Sequence, residues 1–458
     1  MSLAVALAIA LTAPATAPAA ADAEPKAWTL EALTQAAQAA DPRVLAEAAE
    51  LARLRGAEAE ANAAQRPVLD WIVSADGPIP ELRNDPNHLD AVSPSSRLRT
   101  GDLGTPGVHG HLGANLTWPV FTFGRAAASS RAAARAASAG AATGEAARAR
   151  AARDAADIFW SYQVARRGLA SLDETDRQLA GARERVERLL GEGSAKVSRQ
   201  DLAQLDVFRA ELAARRAEAS AARDLALEAG RTVAGLAEDA PFAIAMAPLE
   251  VPPATLAPLA RHAAAAQALR PEVAAARDLV ASREAALLAR RRALYPELVV
   301  TGNLDLNWTG SATPQTNPFA WDPYNRLWAG LGLALRGSID LWRPSAQLRQ
   351  EEAQVSRAQA ELAGAERAVR MEVARAHTGL RAAQERAARL RDQEAAARRW
   401  LAQAEASFDA GSAGAEAVLL AAMASARAGA ERLAAVRDAQ LAYADLALAV
   451  GADPKTVK

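Results

Sequence analysis

The sequence predicts a mostly α-helical chain with a small β part: duplicated long α-helical hairpins, plus four β-strands that cannot close on themselves. Three observations carry this reading. Proline is missing from two long windows, landmarks recur between the two halves, and the hydrophobic period changes between the helices. The background composition agrees, since the 458 residues are 51% hydrophobic but only 4% aromatic, with alanine dominant. Such a chain favours long, closely packed helices over a thick globular core.

All 23 prolines lie outside the windows Pro119 to Pro241 and Pro344 to Pro454. Proline breaks helix interiors, and both windows are rich in Ala, Arg, Glu and Leu, which favour helix. In the first window Ile158, Tyr162, Ala165, Leu169, Leu172, Leu179, Val186 and Leu190 recur at a spacing near that of a coiled-coil seam, with lapses at Asp176 and Arg183. Each window carries one turn, at Gly191-Glu192-Gly193-Ser194 and at Gly411-Ser412-Ala413-Gly414. Ser198-Arg199-Gln200-Asp201 reads as a capping box that restarts the first helix. Each window is therefore a helical hairpin.

The halves align by their landmarks. Asp41-Pro42 matches Arg270-Pro271 and Arg66-Pro67 matches Tyr295-Pro296, both 229 residues apart (42 to 271, 67 to 296). Phe123-Gly124-Arg125 matches Leu341-Trp342-Arg343, and Gly193-Ser194-Ala195 matches Gly411-Ser412-Ala413, both 218 apart (125 to 343, 193 to 411). One insertion between Pro67 and Arg125 explains the single change of offset, as a duplication predicts. The boundaries expected are a signal peptide at 1–21, a first repeat at 22–237, a Pro-rich linker at 238–262, a second repeat at 263–451 and a tail at 452–458. The signal peptide rests on the apolar run Leu3 to Leu11, followed by small residues at Ala19-Ala20-Ala21 or Ala21-Asp22-Ala23, although no Lys or Arg precedes that run.

Between the helices the period becomes two. Strands are expected around 68–75, 112–123, 297–308 and 327–341, ahead of hairpins at 125–237 and 344–451. In the third, Leu298, Val300, Leu304, Leu306 and Trp308 alternate with Thr301, Asn303, Asp305 and Asn307. No apolar run of about 18 residues follows the signal, so no membrane-spanning helix is expected and any membrane crossing falls to these strands. Their length suits a tilted transmembrane strand, and six of the nine tryptophans lie in or near them. Trp71, Trp118, Trp308, Trp328 and Trp342 are the candidate membrane-interface aromatics. Four strands make no barrel, and an open edge has no place in lipid, so several subunits must share one.

A net charge of −1 gives no basic surface for nucleic acid, and the absence of cysteine excludes disulfides, thiolate metal sites and a lipid-modified cysteine. His109-Gly110-His111, placed in a connecting loop, has no evident third ligand, so no metal site is expected. No catalytic constellation and no cofactor-binding motif is present, and the chain is not expected to be an enzyme.

Leu116-Thr117-Trp118-Pro119-Val120-Phe121-Thr122-Phe123-Gly124-Arg125, Leu269-Arg270-Pro271-Glu272-Val273, Leu294-Tyr295-Pro296-Glu297-Leu298 and Ser407-Phe408-Asp409-Ala410-Gly411-Ser412-Ala413 occur in an order that resembles the outer-membrane efflux protein family, the TolC-like channels. The resemblance spans nearly the whole mature chain. It implies a homotrimer in the cell outer membrane with a shared 12-stranded β-barrel, an α-helical tunnel reaching into the periplasm, and a mixed belt midway. It also implies a periplasmic adaptor and an inner-membrane transporter as partners, in efflux or type I secretion. Members of the family carry acidic residues after the second hairpin glycine; here Ala417 and Leu420 occupy those positions, and Asp201, Asp409 and Glu416 are the periplasmic gate candidates. Gly191, Gly193, Ser194, Gly411 and Ser412 are the hairpin-tip candidates for adaptor contact. A periplasmic coiled-coil scaffold or adaptor without a barrel is the alternative; it accounts for the helices but not for the strands or the clustered tryptophans.

Overall fold

A computed structural model describes residues 27–79, 81–83, 95–96, 104–194, 197–253, 256–314, 322, 324–338, 340, 342–410 and 412–456. The expected signal peptide, Trp321, Leu341 and the hairpin-tip candidate Gly411 lie outside the described residues. The elements run α1 (Leu30–Ala40), α2 (Pro42–Ala63), β1 (Val68–Ile79), a short pair β2 (Leu82–Arg83) and β3 (Ser95–Ser96), β4 (Gly107–Phe121), α3 (Arg125–Gly191) and α4 (Arg199–Val233). There follow α5 (Leu259–Leu269), α6 (Pro271–Arg292), β5 (Glu297–Thr309), β6 (Arg326–Arg336), α7 (Arg343–Asp409), α8 (Ala415–Val450) and a 3₁₀ turn at Pro454–Thr456. The succession of two helices, two long strands, a long helix and a shorter one thus occurs twice. Both long helices have 67 residues, about 100 Å each at helical rise.

Three boundaries differ from the sequence reading. β4 begins at Gly107, earlier than expected, because His109 and His111 alternate with glycine and valine in a pattern that resembles a loop. β6 stops at Arg336, where Gly337 and Ser338 end the ladder short of Leu341. Helix α5 starts at Leu259, inside the stretch expected to be a linker, since Pro258 stands at its N-cap and the residues beyond are alanine-rich.

The chain divides into two compact units, each drawing on both halves of the sequence. The first takes its described residues from 1–41, 150–255 and 378–445. Here α3 and α4 form the expected hairpin. Its turn is a Schellman motif, in which Ser194 N–H reaches the Leu189 carbonyl (2.9 Å) and Gly193 N–H that of Leu190 (3.1 Å). Gly193 has φ of +73°, which explains glycine at that turn. Helix α4 opens with the capping box read from sequence, Ser198 and Asp201 satisfying each other's backbone N–H. The lapses in the α3 seam are ion pairs: Asp176 meets Arg209 at 3.3 Å, and Arg183 bonds Asp206. Leu179, between them, and Val186, just beyond, pack with Leu205, Phe208, Leu212 and Leu419 in one apolar cluster that Phe408 and Ala415 flank. Both hairpin ends therefore share a core.

The seam residues Ile158 and Tyr162 are only half-buried; the neighbouring Phe159 and Gln163 take the interior. Gln163 is buried for a reason of hydrogen bonding. Its amide donates to the Ala245 carbonyl (2.7 Å) and accepts from Ala247 N–H (3.1 Å), which ties down the extended join after α4. Trp28 pairs with the same join through Ala243 and Ala245. Gln384 donates to the carbonyls of Pro252 and Pro253 and Gln440 to that of Glu250. Glutamine side chains thus satisfy a proline-rich backbone that no ladder can reach.

The second unit takes its described residues from 42–149, 256–377 and 446–458. Its long strands form one antiparallel sheet in the order β1-β4-β5-β6. A small core joins Ala266 of α5, Val273 of α6, Val369 and Val373 of α7 and Ala449 of α8. Arg270, between α5 and α6, reaches the Leu448 carbonyl (3.0 Å) and the carboxylates of Glu272 (3.0 Å) and Glu372 (2.8 Å). His262 of α5 is fully buried, its ring centroid 5.4 Å from that of His377 on α7. Burial, reinforced by His377, pushes its pKa below the ordinary histidine value, against an opposing pull from the Pro454 backbone.

Two predictions follow from these contacts. A histidine whose native pKa lies below its unfolded value binds fewer protons when folded, so its contribution to stability is lost as pH falls below about 6.5. The thermal midpoint of the protein should therefore drop on acidification through that value, and His262→Gln should flatten the drop; an unchanged slope in the variant would remove His262 from the account. Removing the α4 cap with Ser198→Ala should cost about 1 kcal/mol, read as faster amide exchange in the first turn of α4.

Candidate functional site

The sheet separates its residues by chemistry with little mixing. Strand β4 pairs with β1 from Val68↔Thr117 to Asp76↔His109, and with β5 from His109↔Thr309 to Trp118↔Val300. Strand β6 completes it, from Glu297↔Arg336 to Asn307↔Arg326. Pro119 is tolerated within this central strand because β1 pairing ends at Thr117 and the β5 ladder shifts register between Pro119 and Phe121.

Residues directly across a ladder share a face. One face therefore carries Asp70, Asn115, Asn303 and Gly330 at one level, and Ser74, His111, Asn307 and Arg326 at another. The other carries Trp71, Ala114, Leu304 and Ala329, with Leu69, Leu116, Gly302 and Leu331 beside them. In a soluble protein the apolar face would be the covered one. Here Leu331 is 82% exposed, Leu327, Leu333 and Leu335 are also exposed, and Asn307 and Thr309 on the polar face are buried. The polarity is inverted, as in a wall with a wet lining and a hydrocarbon exterior.

The tryptophans divide in a way that spacing alone did not resolve. Trp118, opposite Val300, lies near the helical end of the apolar face, and its indole N–H reaches the Gln65 carbonyl at 3.1 Å. Trp308 lies near the other end, over Gly110, where an added Cβ would stand 2.1 Å from the indole. Two of the interface candidates take other places in the sheet. Trp71 sits opposite Ala114, inside the apolar band and away from its rim. Trp328 sits opposite Asp305 and stacks over Gly330, on the polar face. Trp342 follows the sheet, one residue before α7, and is exposed.

Where the strands meet the helices, the buried carboxylate of Glu297 is clamped between Arg125, the first residue of α3, and Arg336, the last of β6. Phe123, in the left-handed region at φ +49°, stacks on Tyr295, while Arg292 holds its carbonyl at 3.1 Å. These contacts fix the angle at which a strand becomes a helix. Sequence reading missed them, because Glu297 looks like any exposed residue after a Tyr-Pro.

The gate candidates fare unevenly. The Asp201 carboxylate is committed to its cap, accepting from Ser198 N–H at 2.7 Å. Asp409 ends α7 and Glu416 lies in the first turn of α8, both exposed. Among the described residues no hydrogen bond or ion pair joins the three to one another. Gly191 ends α3, and Gly193, Ser194 and Ser412 are exposed or half-buried in the two turns. A groove of about 360 Å³ between α4 and α8 is lined by Val207, Phe208, Glu211, Glu416, Leu420 and Met423, with Val207 and Leu420 exposed. Among the described residues no helix is long and apolar enough to cross a membrane, and no three His, Asp or Glu side chains gather as a metal site.

Residues 263–452 match the family model of the outer membrane efflux proteins. The whole chain has the fold of the solved outer-membrane channels. It is 17% identical to CusC, covering 92% of both chains with a TM-score of 0.73. It is 19% identical to the outer membrane protein VceC of Vibrio cholerae, over 92% of this chain and 96% of that one, at 0.72. It is 18% identical to the MtrE outer membrane channel of Neisseria gonorrhoeae in its open state, over 93% and 89%, at 0.71. No curated protein matches the chain in sequence.

The face assignment yields a paired prediction. Leu331→Arg, on the exposed apolar face, should cost about 2–4 kcal/mol of barrel stability, whereas Thr301→Arg on the polar face should be tolerated. Heat-modifiable mobility of membrane-extracted protein checks this; folded Leu331→Arg with unfolded Thr301→Arg would reverse the faces.

Proposed function

We propose that this chain is one of three identical subunits of an outer-membrane channel that serves tripartite efflux or type I secretion, and that it acts as a passive conduit, not an enzyme. The observation that carries the reading is the inverted sheet with its two edges, β1 and β6, unpaired among the described residues. An open edge in hydrocarbon leaves backbone groups uncompensated at several kcal/mol each. Three four-stranded sheets joined edge to edge make a closed barrel of 12 strands, within the range of such barrels. A periplasmic scaffold or adaptor would leave the exposed leucines of β6 without a purpose.

In this reading the two repeats, 22–237 and 263–451, arose by duplication, and the long helices of each copy line a conduit through the periplasm. The join after α4 and the C-terminal tail belong to its midway belt. The hairpin turns at Gly191, Gly193 and Ser194 and at Gly411 and Ser412 face the periplasmic adaptor, which links the channel to an inner-membrane transporter. Asp409 and Glu416 guard the mouth, with Asp201 in a secondary position because its carboxylate already caps α4. The groove holding Glu416 and Leu420 belongs to the same end of the hairpins.

Two measurements test the reading. The mature protein should fractionate with outer membranes and run as a trimer in detergent; a monodisperse monomer in detergent-free buffer would overturn it. In planar bilayers the trimer should conduct with cation preference, and the combined change of Asp201, Asp409 and Glu416 to Ala should raise conductance and weaken that preference. Unchanged conductance and selectivity would place the gate elsewhere.

A further inference from the structure

The polar face holds a convergence that the channel reading does not use. His109 and His111 lie two residues apart on β4 and project from the same face, opposite Thr309 and Asn307 of β5. His109 Nε2 and His111 Nδ1 both reach a single atom, Asn307 Oδ1, at hydrogen-bond distance, 3.2 Å and 3.0 Å. Donors bound about 2.1 Å from one metal ion in adjacent positions lie about 3.0–3.4 Å apart, the spacing seen here. We propose that His109, His111 and Asn307 form a site for a divalent transition-metal ion, with zinc or nickel as the fitting class, at the end of the sheet nearest its long connections.

The surroundings are arranged to hold this set. The Asn307 amide orientation is fixed from behind: Nδ2 donates to Asp305, whose carboxylate is itself held by Arg326 at 2.8 Å. That leaves Oδ1 aimed at the imidazoles. Asp76 Oδ2 lies 3.8 Å from His109 Nδ1, beside the ring nitrogen that does not face Asn307. His111 binds through Nδ1 and carries its proton on Nε2, which lies over Gly113, where an added Cβ would stand 2.9 Å away. The Tyr324 ring meets His109 edge-on at 5.7 Å and closes one side. The imidazoles remain partly open, with side-chain exposures of 15% and 24%, so water can complete the coordination. Two imidazole nitrogens and an amide oxygen suit zinc, nickel or copper and are a poor set for calcium or magnesium.

The test uses the full-length protein in detergent, without a histidine tag, titrated with zinc and with nickel by calorimetry. One ion per chain is expected, weakened about 10-fold to 100-fold or more in His109→Ala and in His111→Ala, and about 10-fold in Asp76→Asn, which acts by orienting a ligand. His262→Gln, which alters the other histidine pair, should bind as the wild type does. X-ray absorption at the zinc edge of the unaltered protein, expected to report two imidazole nitrogens, keeps the proposal testable if a variant fails to fold. The site is disproved if the wild-type chain binds neither ion, if both alanine variants bind unchanged, or if His262→Gln abolishes binding. Binding is read on the isolated protein, so neither this result nor channel conductance decides the other.

Discussion

The rest of the architecture depends on the incompleteness of one sheet. Four strands are paired internally in the order β1-β4-β5-β6, with leucines on one face and asparagines and threonines on the other. A sheet of that polarity is unstable in water because of its exposed leucines. It is unstable in lipid because of its two bare edges. Both defects are removed together when further copies extend the ladder into a closed wall within a bilayer.

The helices answer a different demand. Helices of 67 residues have little core of their own; many buried positions along them are alanine, and larger buried side chains gather in short stretches such as Phe159–Gln163, Leu179–Val186 and Val369–Leu380. Small residues let long helices approach closely, while ion pairs such as Asp176–Arg209 occupy the places where an apolar seam would otherwise run on. Each such exposed pair contributes only about 0–1 kcal/mol, so its role lies in register more than in total stability. The extended join is treated in the opposite way. It has no ladder and no apolar bulk, and Gln163, Gln384 and Gln440 hold it by its carbonyls.

Much of this was legible in the sequence because it is periodic. Helix starts at Pro42, Pro271 and Arg125, the capping box at Ser198 and the alternation of β5 are all local patterns that tertiary context did not override. The resemblance to outer-membrane efflux proteins rested on the order of such patterns, and the matched second half bears it out. What the sequence did not show lacked a local signature. His109-Gly110-His111 passed for a loop because glycine interrupts the alternation, and nothing near Trp328 in the chain marks Asp305 as its register neighbour. Ile158 and Tyr162 fitted the seam as well as Phe159 and Gln163 did, and only the packing chose between them.

The sequence by itself determined which segments are helix and which are strand, and the recurrence of their order. Those follow from backbone propensity and from periods of two and of about three and a half, which are properties of neighbouring residues. Tertiary structure alone decided which face each tryptophan takes, which carboxylates are spent on caps and clamps, and that Asn307, nearly two hundred positions from His109 and His111, brings its amide oxygen to both rings. Such meetings depend on ladder register between strands far apart in the chain, and register is set by the whole sheet.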